Sequence, residues 1–275
     1  MKRQTIVALL AMLLLLSVGC TQAMLAASAT DREEHSLPFG PGGTVSLENV
    51  NGDLTVRVVD GQQVHILAEK RAKALDEAKA KEALDKLKIV IGSSTNEIKI
   101  ESVYPSTRGS LLNVGVYLSV NYVLEVPRGT KLKLGVVNGS MAIDAPGSEV
   151  SCELTNGSVR VEQARLLSAT TVNGKIVFTA ENVEDVSSTN GSVEGKILSP
   201  KPSAGRIETV NGHVAVALIP AAAVRIEAEN VNGSIHSALT GMESEKHNLS
   251  GDLNGGGATL AIETVNGGIE IKSTT

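Results

Sequence analysis

The sequence predicts an all-β chain: a single-domain β-solenoid with Asn-Gly corners every 17–21 residues and one inserted amphipathic helix. The first observation is the repeat. Asn-Gly, usually after Val, recurs at Asn51-Gly52, Asn138-Gly139, Asn156-Gly157, Asn173-Gly174, Asn190-Gly191, Asn211-Gly212, Asn232-Gly233 and Asn266-Gly267. From Asn138 the steps are 18, 17, 17, 21, 21 and 34 residues. The last step is twice 17, which predicts one degenerate copy, and Asn254-Gly255 falls in that gap. Internal periods of this size mark repeat architectures. The second observation is alternation of apolar and polar residues on both sides of each Asn-Gly, the pattern of half-buried strands. The third is the scarcity of aromatics: no Trp, two Phe and three Tyr. A core of stacked Val, Ile, Leu and Ala does not need them.

Aligned on Asn, the copies form columns. Four residues before Asn stand Leu47, Leu134, Cys152, Ala169, Val186, Ile207, Ala228 and Ile262, all apolar. Directly before it stand Val50, Val137, Thr155, Val172, Thr189, Val210, Val231 and Val265, all β-branched. Two after Gly stand Leu54, Met141, Val159, Ile176, Val193, Val214, Ile235 and Ile269. In a solenoid these columns stack about 4.8 Å apart and the Asn amides ladder along the axis. The alternative is an antiparallel meander of Asn-Gly hairpins, because a type I′ turn needs positive φ twice and Asn-Gly supplies it.

At the N-terminus, Lys2 and Arg3 precede an apolar run, Ile6–Leu16, too short to span a bilayer. The segment ends Leu16-Ser17-Val18-Gly19-Cys20, which resembles a bacterial lipobox. The expectation is a lipoprotein signal peptide over 1–19 and a diacylated Cys20, carrying palmitate-type chains as membrane anchor. The competing reading is an ordinary signal peptide cut near Ala23 or Ala27. Thr21 after the Cys favours the outer membrane in a Gram-negative cell. Residues 20–35 read as the lipidated Cys and a flexible tether, with the repeat domain over 36–275. Losing residues 1–19 removes Lys2 and Arg3 and takes the net charge from −5 to −7. That balance argues against nucleic acid, which needs a basic footprint. Cys152 then has no partner besides Cys20, so disulfides do not hold the domain.

Residues 68–88 (AEKRAKALDEAKAKEALDKLK) are rich in helix formers, with Glu69/Lys73, Glu77/Lys81 and Glu82/Lys86 at favourable i,i+4 spacing. This predicts an amphipathic helix packed over an end or face of the sheet. A membrane-surface helix would need bulkier apolar residues and a basic face.

With Leu47–Leu54 (LENVNGDL), Val120–Thr130 (VNYVLEVPRGT) and the serial Asn-Gly copies in view, residues 40–275 resemble the bacterial "putative adhesin" family, domain of unknown function 4097. The resemblance implies an extracytoplasmic β-strand repeat protein and carries no catalytic residues or cofactor with it.

No catalytic or metal motif emerges. The five histidines, His35, His65, His213, His236 and His247, share no ligand spacing. Glu48, Glu153, Glu208, Glu229 and Glu263 form an acidic column three before Asn, in which Glu208 and Glu229 are expected on adjacent coils. It reads as a solvated ladder tempered by Arg206 and Arg225. Ser140, Ser158, Ser192 and Ser234 after Gly are turn chemistry. Gly251–Gly257 reads as a flexible insertion in the degenerate copy. The expected function is a non-enzymatic, lipid-anchored envelope protein: an adhesin or assembly scaffold for a protein or glycan partner, of unspecified oligomeric state. The alternative is an accessory of an envelope-stress or membrane-sensor system, touching a sensor through helix 68–88. A glycan-active enzyme is the third class, and no acidic cluster stands out to serve it.

Overall fold

The computed structural model describes residues 27–105 and 115–274. The expected signal peptide 1–19, Cys20 and tether residues 21–26 lie outside the described residues. In chain order the elements begin β1 (Ala27–Pro38), β2 (Thr44–Asn51), β3 (Leu54–Val59), β4 (Gln63–Ala74), α1 (Glu77–Lys86), β5 (Lys88–Ser93), β6 (Glu97–Val103) and β7 (Tyr117–Pro127). They continue β8 (Lys131–Asn138), β9 (Met141–Asp144), β10 (Glu149–Asn156), β11 (Val159–Asn173), β12 (Ile176–Asn190), β13 (Val193–Ile197) and β14 (Gly205–Asn211). The last are β15 (Val214–Leu218), β16 (Val224–Asn232), β17 (Ile235–Ser237), β18 (Glu243–Ser244), β19 (Asn248–Leu253), β20 (Thr259–Asn266) and β21 (Ile269–Ser273). All strands join one open sheet of 21.

The sheet has two rows, one on each side of the Asn-Gly corners. Strands leading into a corner pair with one another, parallel and in register: Asn51↔Asn138↔Asn156↔Asn173↔Asn190↔Asn211↔Asn266↔Asn232. Strands leaving a corner do the same, from Leu54↔Met141 to Ile269↔Ile235. The long strands β11 and β12 serve both rows. Among the described residues no strand pairs antiparallel with its neighbour across an Asn-Gly; where such neighbours pair, as β10 with β11, β11 with β12 and β12 with β13, they run parallel, so the hairpin meander is not the arrangement present. The physical reason is column matching. Parallel in-register pairing lays Leu47, Leu134, Cys152, Ala169, Val186, Ile207, Ile262 and Ala228 on one another, all buried.

The spatial order departs from the chain order at both ends: β6 and β7 lie outside β2 and β3, and β20 and β21 are inserted at the other end. β20 lies between β14 and β16, and β21 between β15 and β17. The gap between Asn232 and Asn266 is therefore not a degenerate copy. It holds β18 and β19, and β19 runs antiparallel along β16 as an end cover. Gly251 lies in β19 rather than in a flexible insertion. Asn254, at φ 49°, turns the chain back with its Nδ2 on the carbonyls of Pro220 (2.9 Å) and Ala222 (2.8 Å).

At the opposite end β6 and β7 extend the two rows in parallel, then β5, β4 and β1 close them with antiparallel pairing. Two expectations are corrected here. The tether over 20–35 is strand from Ala27 onward, paired residue by residue with β4. The helix over 68–88 begins only at Glu77, and residues 68–74 belong to β4. Burial in β4 alternates through Val64, Ile66, Ala68, Lys70, Ala72 and Ala74, because strands on both sides override helix propensity. Asp76 caps α1, its carboxylate accepting from the Lys79 N–H at 2.8 Å. The helix packs Ala80, Ala83 and Leu84 against β1 and β4. Of the expected i,i+4 pairs, Glu82–Lys86 forms, at 2.6 Å.

Candidate binding face

Strand alternation decides which columns face water. In the row before the corners, the position two before Asn points inward and the positions one and three before point outward. The outward valines Val50, Val137, Val172, Val210, Val265 and Val231 are 39–60 % exposed. With Thr155 and Thr189 they form a stripe of eight rungs, roughly 34 Å long at sheet spacing. An exposed stripe of this kind, apolar except at Thr155 and Thr189, is a candidate interaction surface.

Beside the stripe runs the acidic column. From one end it reads Glu101, Glu48, Gly135, Glu153, Thr170, Ser187, Glu208, Glu263 and Glu229. Glu208 and Glu229 are not adjacent, because inserted β20 places Glu263 between them. Arg206 bridges Glu208 and Glu263 at 2.8 Å each, and the two carboxylates hold its guanidinium pKa above its usual value. Arg225 is engaged instead by Glu227 (2.8 Å) and Asp252 (3.3 Å). Gly135 interrupts the column, and the missing side chain leaves a notch between Glu48 and Glu153. The notch sits in an open groove of about 890 Å³ that Lys99, Lys133, Val50 and Val137 also line. The face therefore offers an apolar rail, a carboxylate rail and one notch with two lysines beside it.

The corners are held by the asparagines. Each carboxamide donates to the one before it in space: Asn138 to Asn51 (2.9 Å), Asn156 to Asn138 (2.8 Å), Asn173 to Asn156 (2.9 Å) and Asn190 to Asn173 (3.0 Å). The ladder continues through Asn211 to Asn190 (2.9 Å), Asn266 to Asn211 (2.8 Å) and Asn232 to Asn266 (3.0 Å). The glycines are needed for closeness: a Cβ on Gly174 would stand 1.6 Å from the Gly157 carbonyl oxygen. One column escaped the sequence reading, the position two before Asn. It is Val136 and Leu154 in the first copies, then Thr171, Ser188, Thr209 and Thr264, with Asn49 and Asn230 in the outermost two. Ser188, Thr209 and Thr264 donate to the carbonyls of Gly174, Gly191 and Gly212. The signal was present as a switch from apolar to hydroxyl residues down one column.

Lys70 points inward from β4, its ammonium 2.7 Å from Asp31 and 2.6 Å from Glu33. Burial opposes its charge, but the two carboxylates win and raise its pKa; Lys70 in turn lowers that of Asp31. These inward charges on the outermost strand pair guard an edge that another strand could otherwise join. His35, expected in the tether, sits on β1 opposite Ile66. His65 meets Ser36 (2.8 Å) and His247 meets Asn230 (2.9 Å). Among the described residues no three His, Cys, Asp or Glu side chains group to hold a metal. Of the turn serines, Ser158 meets Ser140 at 3.4 Å. Cys152 is buried and desolvation pushes its thiol up to about 12. We expect a maleimide or disulfide reagent to leave Cys152 untouched in the folded protein and to label it on unfolding in denaturant. Labelling at the unfolded rate under native conditions would show that the column opens there.

No family model matches the sequence, and no curated protein matches it. Solved structures do. A "putative cell adhesion protein" from Clostridium sporogenes aligns over 89 % of this chain and 100 % of its own, at 16 % identity and a TM-score of 0.35. A "putative adhesin" from Parabacteroides merdae aligns over 89 % and 97 %, at 8 % identity and a TM-score of 0.37. A "Putative lipid binding protein" from Parabacteroides distasonis aligns over 89 % and 97 %, at 11 % identity and a TM-score of 0.33. Similarity at this level does not transfer a function.

Proposed function

We propose that the chain is a β-solenoid lipoprotein of the cell envelope, anchored through Cys20, that binds a protein or glycan partner without catalysis. The observation that carries this reading is the exposed valine stripe running beside the carboxylate column and the Gly135 notch. Buried stacking alone does not require valine at an outward position, where a polar β-former would serve as well. A long rail of identical spacing suits an extended partner, since each added rung adds contact. The sensor-accessory alternative is less favoured, because the apolar face of α1 is already spent on β1 and β4.

Two measurements test the proposal. Protease applied to intact cells, with a lysed-cell control, reports which side of the envelope carries the repeats. Cleavage on intact cells supports an adhesin, and protection overturns that role. The triple variant Val137→Ser, Val172→Ser, Val210→Ser removes part of the stripe by placing polar residues at positions that already face water. Cells carrying it are expected to attach to protein- or glycan-coated surfaces severalfold less than wild type, with unchanged unfolding midpoints. Equal attachment would discard this face as the binding surface.

A further inference from the structure

An Asn-Gly step is the peptide sequence most prone to deamidation, because glycine leaves the backbone nitrogen after Asn unhindered. Eight such steps on one repeat should make a fragile protein, yet the fold treats them unequally. At an interior rung such as Asn173, Nδ2 donates to Asn156 at 2.9 Å and Oδ1 accepts from Asn190 at 3.0 Å. The Gly174 N–H, the nucleophile of the reaction, donates to the Asn190 carbonyl at 3.0 Å. The same bond engages Gly52, Gly139, Gly157, Gly191, Gly212 and Gly267, at 2.9–3.0 Å. At the far end Asn51 is tied to the Leu118 carbonyl at 3.1 Å, so that rung is closed too.

Asn232 differs. Because β20 and β21 slot inside, the Asn232 corner is the outermost rung. The β19 cover pairs with β16 from Val224 to Glu229 and stops short of the corner. Asn232 donates to Asn266 at 3.0 Å, but among the described residues nothing donates to its Oδ1 and nothing accepts the Gly233 N–H. Val231 beside it is the most exposed of the valine stripe, at 60 %. Asn254-Gly255, the other Asn-Gly step at this end, has its carboxamide clamped by two carbonyls.

We propose that Asn232 is a modification site, the rung of the asparagine ladder open to deamidation in the folded protein. The deprotonated Gly233 nitrogen attacks Cγ of Asn232; the N–Cγ bond forms, the Cγ–Nδ2 bond breaks, and Nδ2 leaves as ammonia with the returned proton. Water then opens the cyclic imide at either carbonyl, giving aspartate or isoaspartate. The sum is asparagine plus water to aspartate or isoaspartate plus ammonia, with no oxidant or reductant. The product carries a new negative charge three residues from Glu229 and, as isoaspartate, an extra backbone carbon at the last corner.

The test incubates the purified protein, folded and in denaturant, in mildly alkaline buffer made with oxygen-18 water, then maps peptides by mass spectrometry. Ring opening writes the heavy oxygen into each site modified during incubation. In the folded protein Asn232 is expected to label roughly tenfold or more faster than Asn173, Asn190 or Asn254, the factor set by breaking hydrogen bonds that Asn232 lacks. In denaturant the eight ladder steps should label at similar rates. Equal labelling of the ladder in the folded state, Asn254 leading, or an unlabelled Asn232 beside labelled denatured controls would each overturn the proposal.

Discussion

Replacing Gly174 by alanine is expected to destabilise the protein by about 3 kcal/mol or more, read from urea unfolding. The added Cβ would stand 1.6 Å from the Gly157 oxygen and 2.8 Å from its carbonyl carbon, both backbone atoms. Side-chain rearrangement cannot relieve that contact. Two rungs must separate, in a stack whose spacing is about 4.8 Å. The separation stretches the Gly157 N–H to Asn173 carbonyl bond, 3.0 Å, and the Asn173 to Asn156 carboxamide bond, 2.9 Å. Gly135→Ala is the control. A Cβ there meets nothing closer than 3.8 Å. It should stay within about 0.5 kcal/mol of wild type, as ordinary surface changes do. If both glycines tolerate alanine equally, closeness at the corner is not what selects glycine.

Phe178→Ala is expected to cost about 3–5 kcal/mol, the range for truncating a buried aromatic. Phe178 is one of two phenylalanines in the chain and is 2 % exposed. Its in-register neighbour is Gly195, where a Cβ would stand 2.1 Å from the ring. The ring thus fills a place that the next rung vacates. Gly195→Ala in the wild type should therefore destabilise by overpacking. In the Phe178→Leu background the same change should cost less, and the difference is the coupling between the two sites. Strict additivity would mean that the ring and the glycine are not complementary.

Much of this architecture was legible because a short period repeats the same requirement eight times. The columns at Leu47, Val50 and Leu54 announce one inward, one outward and one further inward position, and every later copy agrees. What stayed illegible has particular causes. The alternation of β4 is carried by Ala68, Lys70, Ala72 and Ala74, which read as helix formers until strands flank them. The start of α1 rests on Asp76 alone, an exposed cap in a charged stretch. The placement of β20 between β14 and β16 could not be read, because columns built alike let any rung sit on any other. The candidate face was half visible: the valine and glutamate columns stand in the sequence, but the Gly135 notch and Glu263 beside Glu208 depend on neighbours in space.

The position of β20 and β21 also sets a clock. Residues 205–237 leave the ribosome before residues 259–273 exist to join them. Two complementary edges, β14 with β15 and β16 with β17, are then present without the rung that belongs between them. Either they wait apart or they meet wrongly and must part again, since a directly stacked intermediate satisfies the same columns. The last-arriving strands act as an interlock, and completion of the fold is tied to completion of synthesis through residue 273. Long-range pairing of this kind is slow to form.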